Sequence, residues 1–125
     1  MTKGLAFLVC MLIEGAVAAL LGILLSRRFN LSRFGAAVRC GAAAVIGTAA
    51  TNPAIWAEFS RLERWTGTWW GAAALSEAGV VLVETLFCAA ALRGHWRWSL
   101  VISIIVNAVA FGAGVLSPAG LPRPA

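Results

Sequence analysis

Four long apolar runs, each close to the length of a membrane-crossing helix, constrain this chain more than any other feature of its sequence. The runs cover residues 5–26, 36–56, 69–92 and 99–116. A helix needs about 20 apolar residues to cross the hydrocarbon core of a bilayer, so each run is long enough. Charged residues make up only 12% of the chain, whereas a soluble globular domain carries about 25%. The sequence therefore predicts an all-α integral membrane protein, a four-helix bundle forming a single transmembrane domain over residues 1–125.

Two stretches fall outside the four predicted spans. After Pro53, apolar residues recur at helical spacing among charged ones such as Glu58 and Arg61. This pattern predicts a short interfacial amphipathic helix between the second and third spans. Proline removes a backbone donor and disfavours helix at the preceding residue, so we expect a kink or a new helix start there. Residues 117–125 contain three prolines and are expected to form a flexible tail.

Aromatic and basic residues are distributed as in membrane proteins. The tryptophans all lie at predicted span ends, as in an aromatic belt, namely Trp56, Trp65, Trp69, Trp70, Trp96 and Trp98. The arginines are concentrated in and beside two connections, namely Arg27, Arg28, Arg33, Arg39, Arg93 and Arg97. Because basic loops stay on the cytoplasmic side, we expect both termini to be non-cytoplasmic, in a bacterial inner membrane. We therefore expect the net charge of +5 to interact with the headgroups of the lipid bilayer, which is the expected partner, and not with nucleic acid.

Three glutamates lie inside the predicted spans: Glu14, Glu77 and Glu84. A charged side chain at the bilayer centre costs at least about 2.5–3.5 kcal/mol, so such residues rarely persist without a partner or a task. Counting residues from the span ends places Glu14 and Glu77 at similar depths, where they could meet if the first and third helices touch. Asn107 lies near that level, and Glu84 lies deeper toward the cytoplasm.

Protonatable glutamates inside a membrane are typical of a proton relay or of a cation site, in which amide oxygens complete the coordination. The candidate substrate- or ion-binding residues are Glu14, Glu77, Glu84, Asn107 and Asn52, the last of which would be close to the outer surface. A structural interpretation is also open, because a protonated glutamate can simply hydrogen-bond a neighbouring helix. Arg39 could likewise reach inward and pair with Glu84.

The remaining reactive residues do not predict a metal site, a cofactor or an enzyme. Cys10, Cys40 and Cys88 lie singly in apolar runs without CxxC spacing, so neither a disulfide framework nor a structural zinc site is indicated. His95 is the only histidine, which excludes bis-histidine haem ligation within one chain. The sequence has no aspartate for an aspartyl dyad and no recognisable nucleophile motif.

In overall plan, with four spans and Glu14 in the first, the chain resembles the small multidrug resistance transporters. The resemblance covers the architecture and this one residue, and no family is assigned from it. It implies a transport-type protein in which an intramembrane glutamate handles a proton, a cation or a cationic solute. The alternative is a non-catalytic accessory or assembly subunit of a larger membrane complex. The expected partners are therefore further copies of this chain, as a homo-oligomer, or the other subunits of such a complex.

Overall fold

The structure, a computed structural model, describes residues 2–116 of the chain, except the side chain of Lys3. These residues form four helices and no strand: α1 (Lys3–Leu25), α2 (Arg33–Thr66), α3 (Trp69–Ala91) and α4 (Trp96–Leu116). Each helix is long and apolar enough to cross a membrane. The prediction of an all-α chain with four candidate spans is thus confirmed, while the predicted tail over residues 117–125 lies outside the described residues.

Polar caps set several of the helix ends. The Ser32 hydroxyl accepts a hydrogen bond from the Gly35 amide at 3.0 Å, and the Thr68 hydroxyl accepts one from the Gly71 amide at 2.9 Å. Such side chains satisfy amides that have no partner within the first turn. At the other end of α2, Gly67 adopts a left-handed conformation with a φ of 74°. Glycine adopts this conformation without steric cost, so the chain can turn sharply into α3.

The helices form a ring. α1 packs against α2 and α4, and α3 packs against the same two helices. α1 and α3 therefore lie on opposite sides of the bundle, with α2 between them. The buried face of α2 consists of small residues, namely Ala36, Cys40, Ala43, Ala44, Gly47 and Thr48. Small side chains let neighbouring helices approach closely, which suits a helix that contacts two others.

The predicted short helix after Pro53 is not a separate element, and that prediction is wrong. Pro53 lies inside α2, which continues without a break to Thr66. Beyond the proline, the ring of Phe59 lies 5.9 Å from that of Trp69 on α3, so packing favours one continuous helix.

The tryptophans mostly mark helix ends, as predicted. Trp65, Trp69, Trp70, Trp96 and Trp98 lie within the first three or last three residues of a helix. Trp56 is the exception, because it lies well inside α2, with its ring 5.7 Å from that of Phe7. The 34 residues of α2 extend over about 51 Å at about 1.5 Å per residue, longer than a hydrocarbon core of about 30 Å. The exception therefore follows from the length of α2.

Candidate functional site

Each helix contributes one buried polar side chain to a single cluster in the bundle interior. The four residues, here called the polar cluster, are Glu14 of α1, Thr48 of α2, Glu84 of α3 and Asn107 of α4, and each is at most 4% exposed. In the helix ring, α2 lies between α1 and α3, the two helices that carry the glutamates. Thr48 of α2 can therefore reach both of them. Three of the five residues predicted for the site therefore meet: Glu14, Glu84 and Asn107.

The Thr48 hydroxyl is the centre of the polar cluster. Its Oγ1 is hydrogen-bonded to Oε2 of Glu14 and, at 3.0 Å, to Oε1 of Glu84. A hydroxyl has one hydrogen to donate and lone pairs with which to accept. It can therefore donate to only one of the two carboxyl groups. The other contact is a hydrogen bond only if that carboxyl carries a proton and donates it to the hydroxyl oxygen.

The other two carboxyl oxygens also have partners. The Cys10 thiol donates to Oε1 of Glu14 at 3.3 Å. On the opposite side, Nδ2 of Asn107 donates to Oε2 of Glu84 at 2.5 Å, and it also donates to the Ser103 carbonyl oxygen at 2.9 Å. All four carboxyl oxygens of Glu14 and Glu84 are thus hydrogen-bonded. Burial of polar groups is tolerable under this condition.

Within the described part of the chain, no arginine pairs with the polar cluster. The Arg39 guanidinium donates instead to the Ala91 carbonyl oxygen at 3.0 Å, at the end of α3. Within residues 2–116, the one ion pair joins Arg61 to Glu58 on the surface of α2. The alternative pairing of Arg39 with Glu84 is therefore not found. Among the side chains that the structure describes, none that is basic pairs with the two buried carboxyl groups.

Gly47 allows α3 to approach α2 at the level of the polar cluster. A Cβ atom at this position would lie 2.6 Å from Cγ of Glu84 and 3.3 Å from its Cα. Any larger residue would push Glu84 away from α2 and so away from Thr48, which is the next residue. The close approach of the two helices, and not only the choice of polar residues, positions the hydrogen bonds.

Glu77, which is expected to meet Glu14 only if the first and third helices touch, lies outside the polar cluster. Because α1 and α3 are on opposite sides of the ring, the two residues are not held together by direct helix packing. Glu77 is half-buried, and its side chain makes no hydrogen bond within residues 2–116. It lines a cavity of about 240 Å³ between α3 and α4, together with Asn107. Asn107 thus connects this cavity to the polar cluster.

Asn52 also lies outside the polar cluster. It is half-buried in α2, one turn beyond Thr48, and its side chain makes no hydrogen bond in the described part of the chain. Thr48 is the residue that sequence reasoning missed. Threonine in a membrane helix often bonds its own backbone, as Thr51 does here. The sequence alone therefore gave no signal that separates the two threonines.

The cysteines do not complete a metal site in the described part of the chain. Cys40 of α2 and Cys88 of α3 are both buried, in the same apolar core cluster. Cys10 lies elsewhere, on α1, beside Glu14. Among residues 2–116, no three or more metal-ligating side chains of His, Cys, Asp or Glu gather around a common point.

Comparison of the chain with protein-family models, with curated proteins and with solved structures finds no match. The chemistry of the polar cluster is nevertheless specific. Two carboxyl groups that share one hydroxyl can exchange a proton through it, because the hydroxyl can accept from one side while it donates to the other. The same oxygens are hard ligands, of the kind that bind small cations in proteins.

Proposed function

We propose that this chain is a transport-type membrane protein in which Glu14, Thr48 and Glu84 bind and relay a proton. The observation that carries the proposal is the position of one hydroxyl between two buried carboxyl groups. With a single proton on the pair, both contacts to the hydroxyl are hydrogen bonds. The proposed role is non-catalytic, and no cofactor is needed for it.

The relay step moves two hydrogens in the same direction. Oε2 of Glu14 gives its proton to Oγ1 of Thr48, while the hydroxyl hydrogen passes to Oε1 of Glu84. The hydroxyl is regenerated, and the net result is the transfer of one proton from α1 to α3. Asn107 stabilises the charged form of Glu84 before this transfer, since a hydrogen bond to a charged group is stronger than one between neutral groups.

When the pair of glutamates loses its shared proton, the site becomes able to bind a cation. Two charged carboxyl groups would then face one hydroxyl inside the bundle, and each buried charge costs at least about 2.5–3.5 kcal/mol in a membrane. A cation or a cationic solute would offset this cost, so exchange of a proton for a cation is the proposed transport chemistry. The cavity beside Glu77 and Asn107 supports access from the α3–α4 side.

The proposal includes an arrangement in the membrane. Four helices enclose little space, so two or more copies of the chain would form the transport pathway as a homo-oligomer. The concentration of arginines at the α1–α2 and α3–α4 connections supports an orientation with both termini non-cytoplasmic. The proposed location is a bacterial inner membrane.

Proton flux into liposomes tests the proposal. Glutamine keeps the shape of glutamate but cannot exchange a proton, so Glu14→Gln and Glu84→Gln are each expected to lower the flux at least tenfold. Glu77→Gln is expected to slow the flux less, because Glu77 lines the access cavity and not the polar cluster. Glu63→Gln is the matched control, since this exposed glutamate lies far along α2. The flux is measured with a pH-sensitive dye trapped in the liposomes, and unchanged flux in Glu14→Gln and Glu84→Gln would refute the proposal.

A second candidate function, a non-catalytic subunit or assembly factor of a larger complex, is favoured by a different observation. An apolar groove of about 430 Å³ lies between α2 and α3. Ser76 lines it, is 7% exposed, and has a hydroxyl with no hydrogen-bond partner among residues 2–116. A partner helix could fill the groove and bond this hydroxyl. Purification in mild detergent separates the candidates, because a stoichiometric partner together with unchanged flux in the glutamine variants would favour the subunit.

A further inference from the structure

One end of the bundle carries a strong positive charge without a counter-charge. The α1–α2 and α3–α4 connections and their flanks, residues 26–39 and 92–99, contain six arginines and no acidic residue. Arg39 already donates a hydrogen bond to the end of α3, which leaves five arginines. The opposite end is different, because Arg61 and Arg64 there are accompanied by Glu58 and Glu63. Within residues 2–116, the positive end therefore lacks a negatively charged partner.

The two connections form one surface. The ring of Phe29, in the first connection, lies 5.5 Å from that of His95, in the second. The guanidinium of Arg28 lies over the ring of Trp98, 5.5 Å from its centroid. These contacts hold the arginines of both connections on a common face, here called the basic face and defined as residues 26–33 and 93–98.

A cavity in the basic face combines charged and apolar walls. It has a volume of about 300 Å³ and is lined by Ile23, Leu24, Ser26, Arg27 and Arg33. Ser26 is 4% exposed, and within residues 2–116 its hydrogen bonds are made by its backbone. Ile23 and Leu24 belong to the last turn of α1 and are exposed. The charged wall is thus directly adjacent to an apolar wall on the side of a candidate membrane span.

This combination fits an anionic lipid. Two guanidinium groups can each donate two hydrogen bonds to a phosphate diester, and a serine hydroxyl can donate a further one. The apolar wall fits the start of an acyl chain. A headgroup with its own cationic group would bring that charge close to the arginines of the basic face, where it would be repelled. An inorganic phosphate ion would leave the apolar wall uncovered.

We infer that the cavity lined by Ser26, Arg27 and Arg33 binds the phosphate of an anionic phospholipid, with one acyl chain along Ile23 and Leu24. The site is separate from the polar cluster and does not depend on the proposed transport function. It anchors the α1–α2 connection to one leaflet of the bilayer. Its affinity falls with rising salt, because the exposed guanidinium groups are screened.

The test uses the purified full chain in a non-ionic detergent. Binding is measured by native mass spectrometry with phosphatidylglycerol, with phosphatidylcholine of the same acyl chains, and with inorganic phosphate alone. Phosphatidylglycerol is expected to bind at least tenfold more tightly than either. The double variant Arg27→Gln with Arg33→Gln is expected to bind it about 25-fold more weakly, since each arginine near an anionic surface contributes about fivefold.

The matched control is Arg61→Gln with Arg64→Gln, which removes the same charge from the opposite end of the bundle. This control is expected to bind phosphatidylglycerol like the wild type. An equal loss in both double variants would overturn the inference, because binding would then depend on total charge only. Equal binding of phosphatidylcholine or of inorganic phosphate would also overturn it. The single variants, each expected to lose about fivefold, provide the same comparison if the double variant does not fold.

Discussion

Replacing Thr48 by valine is expected to lower proton flux at least tenfold while the helices remain folded. Valine matches threonine in shape but lacks the hydroxyl that connects Glu14 with Glu84. Each carboxyl group then loses its central hydrogen bond, and a hydrogen bond to a charged group is worth about 1.5–3 kcal/mol. Thr48→Ser keeps the hydroxyl and is expected to keep most of the flux. The same liposome assay measures all of these variants.

Thr51→Val is the matched control for this prediction. Thr51 lies three residues further along α2, and its hydroxyl bonds only backbone carbonyl oxygens, those of Gly47 at 2.9 Å and Thr48 at 3.4 Å. Its loss is expected to leave the flux near the wild-type value. If Thr48→Val and Thr51→Val behaved alike, the hydroxyl at Thr48 would have no special role in the relay.

The substitution Gly22→Ala is expected to destabilise the bundle by about 1–3 kcal/mol, the usual range for overpacking a buried contact. A Cβ atom on Gly22 would lie 2.6 Å from the carbonyl oxygen of Ala36 and 2.9 Å from its carbonyl carbon. These are backbone atoms, so they cannot move aside as a flexible side chain would. α1 and the start of α2 would have to separate. The free energy of unfolding in mixed micelles, followed by tryptophan fluorescence, measures the effect.

Gly112→Ala provides the comparison on α4. A Cβ atom at Gly112 would meet no other atom within 4 Å. Alanine is the better helix former by up to about 1 kcal/mol, so this substitution is expected to be neutral or stabilising. Equal destabilisation by Gly22→Ala and Gly112→Ala would contradict the packing of α1 against α2 described above.

The four helices were predictable from the sequence because each apolar run has the length and composition of a candidate membrane span. A single segment that crosses hydrocarbon satisfies its backbone hydrogen bonds internally only as a helix, so runs of this kind are expected to be helical. The course of the chain after Pro53 was not predictable in the same way. A proline can end a helix or remain within it, and the outcome depends on contacts such as that of the Phe59 ring with the Trp69 ring of α3, 5.9 Å away, which only the assembled bundle supplies.

The candidate site was predictable in part, for a similar reason. Glutamate inside a membrane span stands out by its cost, and this identified Glu14 and Glu84. Counting residues gives the depth of a side chain in its span, and by depth Glu77 is the match for Glu14. Such a count cannot show which helices are neighbours. The ring order places α2 between α1 and α3, and this brings Thr48 into contact with both glutamates. A threonine carries no such cost, so nothing in its identity distinguished it beforehand.

The hydroxyl between Glu14 and Glu84 also determines how the site would titrate. Two acids that share one proton do not have separate titration curves, because the charge on one depends on the state of the other. A carboxyl signal of either residue, followed by infrared or magnetic resonance spectroscopy, would report two steps that belong to the pair. Replacing one glutamate would change the remaining curve, and the size of that change would measure their coupling.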